Sequence, residues 1–376
     1  MMSARPSRGT RGLLFHAFLS AVAAGALGCA SASVFAHHSP MHPSSAEPVT
    51  FKAVATGDID RVILSYERFT LSESATGDLV QVLDGPPVEV KTCQASGVKS
   101  LECMHTMTSA FPDNSLITFT AKVIDTGGGS EMEAYSFAAG EYPLRTAPIP
   151  IRLKGGTAEK LDVIFIRDTD IAEASFRSEL ENLIQGTYFR YSEIKTWRGL
   201  YNFYYSKWDG DYEADCLFTA PGNFAELDVF GDALVLLHQA ELRDCRAGKW
   251  MSSEIQYDKS ILHESGHVLF NLQDEYCCDS FYSLQSCNQN LWSSLADCQA
   301  EASKLKYPAA SCTQLSSDQG TLALWRIDPA TSAQGCIMGP SQHSDGSTFG
   351  KACARRIHFR YEQCTQGECF PSPECP

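Results

Sequence analysis

One short stretch, His-Glu-Ser-Gly-His at residues 263–267, constrains the fold more than any other part of the chain. Residues four apart on a helix lie on the same face, so His263 and His267 can bind one metal ion together. Glu264 then stands where it can take a proton from a water molecule that zinc makes acidic. The stretch therefore predicts a helix that carries two zinc ligands and a catalytic base.

The same pattern can also arise by accident, in roughly 2% of shuffled chains of this composition. On a helix, the two histidines point away from an arc of aliphatic side chains, which is formed by Ile261, Leu262, Val268, Leu269 and Leu272. A histidine pair opposite a packed face is either a solvated surface pair or a pair of ligands that line a cleft. We favour the ligands.

A family resemblance extends over about residues 161–357. The His-Glu-x-Gly-His sequence, Asp-Glu-Tyr at 274–276 and Cys-Ile-Met at 336–338 resemble the IgA-peptidase family of zinc metallopeptidases, which are relatives of the metzincins. The resemblance implies a metzincin-like α/β zincin domain with one catalytic Zn²⁺ ion. It also implies hydrolysis of peptide bonds in extracellular proteins or glycoproteins.

The resemblance extends to individual residues of the site. Asp274 corresponds to the third zinc ligand, with Glu275 as the alternative, and Met338 corresponds to the methionine that lies beneath the ligands in a tight turn. Gln273 stands where metzincins place a third histidine. Phe270 stands where these families usually have a glycine that lets the chain leave the helix.

A donor that would stabilise the oxyanion is not evident from the sequence. Tyr276 and His343 are the candidates, and each has a structural alternative. Asp258 is placed to cap the histidine helix. The Cys-rich segment from Cys277 to Cys312 follows this helix, and we expect it to shape substrate selection because loops beside a cleft commonly do so.

Two other classes of function fit the same residues. A secreted binding protein with a structural zinc ion would fill the fourth zinc position with a protein ligand and would not need Glu264. A zinc hydrolase of a non-peptide bond would use the same ligands. Metal content and cleavage by variants at Glu264 distinguish these alternatives from a peptidase.

Composition excludes some partners. The chain has 45 acidic and 30 basic residues and a formal charge of −15, so a nucleic-acid partner is not expected. With 44% hydrophobic residues, its 376 positions are enough for two packed domains. Apolar stretches of about 18 residues do not occur beyond the N-terminus, so we expect no transmembrane span.

Residues 1–36 have the pattern of a secretory signal peptide. Three arginines precede an apolar run at 13–27, and cleavage after Ala36 would make His37 the first residue of an exported protein. His37, His38 and His42 would then belong to a short disordered lead. A lipobox-like site at 26–29 gives the alternative, a protein that is lipid-anchored at Cys29.

The cysteine count agrees with export. Fifteen cysteines are present, and the loss of Cys29 would leave fourteen, an even number that fits disulfides in an oxidising compartment. We expect a bridge between Cys93 and Cys103. Cys216 and Cys245 flank a predicted strand and are candidates for a second bridge, and the family resemblance implies a third between Cys336 and Cys353.

The predicted fold class is α+β. Short β-branched runs predict an immunoglobulin-like β-sandwich over residues 45–145. A Pro-rich connection at 143–150 separates it from a zinc metallopeptidase domain at 155–360, and a Cys-rich tail follows at 361–376. Periodicity predicts the first elements of the second domain as strands at 161–166, 201–205 and 233–237 and a helix at 171–184.

Overall fold

The computed structural model describes nine segments of the chain: residues 31–75, 78–144, 147–156, 159–214, 216–277, 289–318, 320–328, 336–339 and 348–366. The predictions for Cys29, for His343 and for the tail beyond residue 366 lie outside these segments. Within them, no helix combines the length and the apolar character that crossing a membrane requires.

An N-terminal sheet encloses one hydrophobic core. Its strands are β1 (Ala32–Ser39), β2 (Thr50–Glu73), β3 (Leu79–Leu83), β4 (Val88–Thr106), β5 (Ser115–Asp125) and β6 (Ser130–Ala139). Buried and more exposed side chains alternate along β1, β2 and β5, because successive residues of a strand point to opposite faces. The β-branched runs that predict strands here, at 62–66, 80–83, 88–90 and 117–123, lie within β2, β3, β4 and β5, respectively.

Strand β2 is 24 residues long and pairs with β1, β3, β4 and β5. Its register shifts between Thr56 and Ile59, where Gly57 has a φ of 115° and approaches the backbone at Ser31 too closely to leave room for a Cβ. All six strands therefore belong to one hydrogen-bonded sheet. An immunoglobulin-like sandwich would need two separate sheets, so only the coarser α+β prediction is confirmed.

The predicted N-terminal boundary after Ala36 falls inside strand β1. Ala32, Val34 and Ala36 are buried, and the strand pairs with β2 along its whole length. Cleavage after Ala36 would divide a paired strand. Any cleavage that leaves β1 whole would have to occur before Ala32.

The histidines near β1 are ordered, which corrects the prediction of a disordered lead. His38 is buried with Nδ1 2.9 Å from the Tyr135 hydroxyl, and His42 Nδ1 lies 2.7 Å from the Tyr205 hydroxyl. Burial lowers the pKa of His42 to about 3, so its ring is neutral at physiological pH. His38 thus packs against the N-terminal sheet, and His42 links the segment after β1 to Tyr205 of the second unit.

A chain that begins at His37 is expected to be less stable than one that begins at Ser31, by about 3 kcal/mol in the free energy of unfolding. The shorter chain loses the burial of Val34 and of two alanines, together with the β1 pairing that precedes residue 37. Urea denaturation of the two chains measures the difference. Equal unfolding free energies would show that this part of β1 adds nothing.

The second unit is built on a mixed sheet. Its six strands are β7 (Ile149–Arg152), β8 (Leu161–Arg167), β9 (Tyr201–Tyr205), β12 (Ala233–His238), β13 (Arg246–Ala247) and β14 (Trp250–Glu254). Between β9 and β12, the strands β10 (Asp211–Ala214) and β11 (Leu217–Thr219) form a separate two-stranded hairpin. The order is β13-β14-β12-β8-β9-β7, with a parallel centre and antiparallel edges. Apolar clusters cover both faces, which explains why β8 and β12 are buried along nearly their whole length.

Helices in the described segments are α1 (Glu173–Glu181), α2 (Ser192–Lys195), α3 (Phe224–Phe230), α4 (Asp258–Phe270), α5 (Leu295–Lys304) and α6 (Lys351–Thr365). The strands predicted at 161–166, 201–205 and 233–237 are confirmed. The helix predicted at 171–184 is α1, which continues into a π-helical turn at 182–187. Because α6 ends at Thr365, the predicted boundary at residue 360 falls inside a helix.

A smaller unit follows α4 in the chain, and we call its described residues, 289–318 and 320–328, the hairpin unit. It consists of α5 and two antiparallel strands, β15 (Cys312–Ser317) and β16 (Gly320–Ile327). The Cys298–Cys312 disulfide and a core around Trp292 hold it together. Disulfides also link Cys93 to Cys103 and Cys216 to Cys245, as the sequence predicts.

A buried ionic network joins the N-terminal sheet to the second unit. Glu133 on β6 pairs with Arg152, and with Lys154 and Arg198 at 3.2 Å each. Its carboxylate also accepts a hydrogen bond from the Ala36 backbone at 3.0 Å. Burial raises the pKa of Glu133, but the three cations outweigh burial and lower the pKa to about 2.

Candidate metal centre

Helix α4 carries the histidine pair and follows β14 closely in the chain. The helix begins at Asp258, with Tyr257 in the N-cap position and no side-chain cap. Asp258 is therefore the first helical residue and does not occupy the N-cap position that the sequence predicts for it. Ile261, Leu262 and Leu269 are buried in the core of the second unit, as the aliphatic arc predicts.

The chain leaves α4 through Asn271, which has φ 55° and ψ 39° in the left-handed region. Its backbone N–H donates to the His267 carbonyl at 3.1 Å, and the Leu272 N–H donates to the Gly266 carbonyl at 2.9 Å. Asparagine is, after glycine, the residue that most often ends a helix in this way. Asn271 thus does what the family glycine would do at Phe270, and it turns the chain back toward the histidines.

Two arginines of α6 hold the carboxyl end of the histidine helix. Arg356 Nε donates to the Phe270 carbonyl at 2.9 Å, and Arg360 Nε donates to the Leu269 carbonyl at 3.4 Å. Burial lowers the pKa of Arg356 to about 10, so the side chain is still charged at neutral pH. Positive charges at this end of a helix are favourable because its free carbonyls carry partial negative charge.

Three side-chain atoms converge beside α4. His263 Nε2 lies 3.1 Å from His267 Nε2, and Asp274 Oδ1 lies 3.0 Å from the first nitrogen and 3.3 Å from the second. Ligands that surround a tetrahedral zinc ion at about 2.0–2.1 Å are about 3.3 Å from one another. The three atoms therefore already have nearly the spacing of three ligands on one ion, and all three side chains are buried.

Both imidazoles are oriented by main-chain carbonyls. His263 Nδ1 lies 2.8 Å from the Ile337 oxygen, and His267 Nδ1 lies 2.7 Å from the Leu272 oxygen. A carbonyl only accepts hydrogen bonds, so each Nδ1 carries a hydrogen and each Nε2 faces the other ligands. Metal-binding histidines are commonly fixed through the second ring nitrogen in this manner. This donor set fits a zinc ion.

The electrostatics of the three groups favour positive charge at their centre. Burial lowers the pKa of His263, but the carboxylates of Asp274 and Glu264 outweigh burial and raise the pKa to about 9. Burial raises the pKa of Asp274, and the hydrogen bonds from the two imidazoles reverse this and hold the pKa well below its usual range. A divalent cation would compete with the proton that His263 carries here.

Met338 lies directly beneath the histidine pair. A Cβ added to Gly266 would be only 2.6 Å from the Met338 sulfur, so the thioether packs on the helix backbone between the two histidines. The Met338 carbonyl accepts a hydrogen bond from the Glu275 N–H at 2.7 Å. The turn at 336–339 thus contacts both the helix and the loop that carries Asp274.

Glu264 is buried on α4 next to His263 in sequence. Burial raises the pKa of its carboxyl group, and the two histidines oppose that effect. A raised pKa brings a carboxylate closer to the range in which it works as a general base at neutral pH. Glu264 is thus a candidate proton acceptor whose carboxyl group interacts electrostatically with His263, His267 and Asp274.

Glu275, the alternative third ligand, belongs to a different cluster. Its Oε1 lies 3.0 Å from Cys353 Sγ, and Cys353 Sγ lies 3.5 Å from Cys336 Sγ. The structure therefore selects Asp274 to lie with the imidazoles. It also leaves Cys336 and Cys353 as two thiols in contact, which corrects the disulfide that the resemblance implies.

One of the two candidate oxyanion donors can be located. The Tyr276 ring lies roughly parallel to the His263 imidazole, with 6.2 Å between ring centroids. The structure does not describe His343. Asn271 was not among the predicted residues of the site, although an asparagine directly after a periodic helical segment is a signal for the end of a helix.

Comparisons with known proteins add no argument about function. No family model matches the chain, and no curated protein matches it. Solved structures with some similarity include the sporulation control protein Spo0M from Bacillus subtilis, with 10% identity, a TM-score of 0.20 and coverage of 31% of this chain and 52% of that one. A Paenibacillus sp. cycloisomaltooligosaccharide glucanotransferase has 12% identity and a TM-score of 0.20, and the match covers 54% of this chain and 27% of that one. Bacteroides uniformis beta-glucuronidase 2 has 8% identity and a TM-score of 0.19, and the match covers 55% of this chain and 23% of that one. The chain thus spans about half or less of each of these proteins, and TM-scores this low do not indicate a shared fold.

Proposed function

We propose that the chain is an exported zinc-dependent endopeptidase that cleaves extracellular proteins or glycoproteins. The observation that carries this proposal is the triangle of His263 Nε2, His267 Nε2 and Asp274 Oδ1, with sides of 3.0 to 3.3 Å, beside the buried Glu264. In the described residues, the ligand atoms that meet at this point come from three side chains. Three protein ligands leave one position of a tetrahedral zinc ion for water or substrate, which is typical of catalytic rather than structural sites.

The chain's own residues have distinct tasks in this proposal. His263, His267 and Asp274 would hold the ion, and zinc would supply a polarised substrate carbonyl and a more acidic water molecule. Glu264 would accept the proton from the attacking water and deliver it to the leaving amine. Met338 supports the ligands from below through its contact with Gly266.

The choice of a peptide bond rests on the sequence motifs shared with the IgA-peptidase family. The same ligand set can hydrolyse other bonds, so the substrate must be identified by experiment. Export is supported by the disulfides Cys93–Cys103, Cys216–Cys245 and Cys298–Cys312, since such bonds form mainly in oxidising compartments.

Metal content and cleavage of a broad peptide library test the proposal directly. Wild type is expected to hold about one zinc per chain and to cleave, while Asp274→Ala is expected to lose both because a ligand is missing. Asp125→Ala is the matched control. This buried carboxylate accepts backbone hydrogen bonds in the N-terminal sheet, and its loss is expected to leave zinc binding intact.

Each other result has a definite meaning. Wild type without zinc would overturn the proposal. Zinc with no hydrolysis of any substrate would favour a binding protein with a structural ion. Zinc-dependent hydrolysis confined to non-peptide substrates would retain the mechanism and reject the substrate class.

A further inference from the structure

Asn290 forms hydrogen bonds with the residues on both sides of Asp274, with the main chain of Gln273 and with the side chain of Glu275. Its Oδ1 accepts a hydrogen bond from the Gln273 N–H at 3.0 Å, and its Nδ2 donates to the Gln273 carbonyl at 2.8 Å. The same Nδ2 lies 3.2 Å from Glu275 Oε1. Asn290 is only 2% exposed. One buried amide therefore holds the residue before the ligand by its backbone and the residue after it by its side chain.

The loop that Asn290 holds has no regular secondary structure of its own, from Asn271 to Cys277. Backbone groups of such a buried loop need partners from elsewhere. The backbone of Glu275, the residue after the ligand, has such partners: its N–H donates to the Met338 carbonyl, and its carbonyl accepts from Arg326. For Gln273, the Asn290 side chain provides both backbone hydrogen bonds, as a neighbouring strand would in a sheet.

Asn290 itself belongs to a rigid part of the structure. Two residues later, the N–H and carbonyl of Trp292 exchange hydrogen bonds of 2.9 and 2.8 Å with Trp325 on β16. Trp292 is 1% exposed within the core of the hairpin unit, which the Cys298–Cys312 disulfide closes. The hairpin unit thus fixes the backbone of Asn290, from which its side chain reaches the ligand loop.

We propose that Asn290 is the positioning residue that fixes Asp274 as the third ligand, and that the hairpin unit serves the metal centre in this way. The inference rests on the proposed metal site and adds a residue that the zinc-binding motif does not contain. An aspartate on an unsupported loop would have to be ordered by the ion itself. With the loop held in advance, less of the binding free energy is spent on ordering it.

Asn202 provides a closely matched control. This buried asparagine also accepts from a backbone N–H, that of Lys154 at 2.7 Å. It also donates to a backbone carbonyl, that of Gly155 at 3.1 Å, and to a carboxylate, that of Asp162 at 2.8 Å. Asn202 lies on β9, outside the contacts of the ligand loop. Removing either amide deletes the same three kinds of hydrogen bond, and only one of the two deletions frees the loop of Asp274.

The test is the titration of metal-free protein with Co²⁺, followed by its visible absorption and by competition with a chelator. Asn290→Ala is expected to weaken Co²⁺ binding by about 10- to 100-fold, the usual effect of losing a residue that orients a ligand. Its Co²⁺ spectrum is expected to shift toward that of Asp274→Ala. Asn202→Ala is expected to lower the midpoint of unfolding but to keep wild-type affinity and spectrum.

Asn290→Asp keeps the shape of the side chain and the acceptor for the Gln273 N–H, and it removes both donated hydrogen bonds. Asn290→Asp can therefore be tested if Asn290→Ala does not fold. It is also expected to bind Co²⁺ more weakly than Asn202→Ala does. If the folded Asn290 variants bind Co²⁺ as tightly as Asn202→Ala, the positioning role is wrong. If wild type binds Co²⁺ no better than Asp274→Ala, the proposed metal site fails instead, which is a different result.

Discussion

Replacing Glu264 by glutamine is expected to lower the rate of peptide cleavage by about 10²- to 10⁴-fold while the zinc content stays unchanged. Glutamine keeps the size of the side chain and cannot accept the proton of the attacking water. The ligand atoms belong to other residues, so the ion should remain bound. Initial rates at saturating substrate, measured with zinc content on the same samples, give both quantities.

Glu301→Gln is the control for this substitution. Glu301 also lies on a helix and forms ion pairs, with Lys304 and with Arg355, but it belongs to the hairpin unit and not to the ligand cluster. Its loss is expected to leave the rate within about twofold of wild type, because such partly exposed pairs contribute little. Cleavage by Glu264→Gln at the wild-type rate would remove Glu264 from the mechanism.

Replacing Glu133 by alanine is expected to lower the free energy of unfolding by about 3–5 kcal/mol, the usual cost of leaving buried charges without a partner. Arg152 is only 1% exposed, so the substitution leaves its guanidinium group buried without its carboxylate partner. Burial lowers the pKa of Lys154 to about 7, so this residue can lose its proton and relieve part of the cost. Chemical denaturation at neutral pH measures the loss.

The pH dependence of this loss has a definite sign. The pKa of Glu133 is lowered to about 2 in the folded protein, so its stabilising contribution is present above the ordinary carboxyl range and is lost as the pH falls toward 2. Lys154 has a pKa of about 7 and interacts with Glu133, so its titration changes the difference between wild type and Glu133→Ala around neutrality. The contribution of the Glu133 carboxylate itself should shrink as the pH falls below about 4. A difference that grows further below about pH 4 would mean that Glu133 is not the paired group.

The helical spacing of His263 and His267 could be derived from sequence because it depends on local geometry alone. The position of Asp274 could not, since it depends on a left-handed turn at Asn271 and on contacts with distant segments. The resemblance supplied Asp274 where physical reasoning from the sequence could not. Asn290 carries no signal in the sequence, because it becomes relevant only when the hairpin unit folds against the ligand loop.

The N-terminal region shows a different limit. The alternation of apolar residues at Ala32, Val34 and Ala36 is typical of a strand, but small and apolar residues also precede a signal-peptidase site. Local sequence cannot separate these interpretations. Tertiary pairing with β2 decides between them. Likewise, the runs in β2, β3, β4 and β5 predict strands, while their union into one sheet depends on the bend at Gly57.

Strand β1 also ties the beginning of the chain to residues that are synthesised much later. The Ala36 carbonyl accepts from Arg152, 116 positions further along, and the Val34 carbonyl accepts from Arg198, 164 positions further along. Such distant contacts form slowly because a long loop must close first. During synthesis the N-terminal sheet would therefore stay incomplete, with Glu133 still lacking its three cations, until Arg152, Lys154 and Arg198 have been added to the chain.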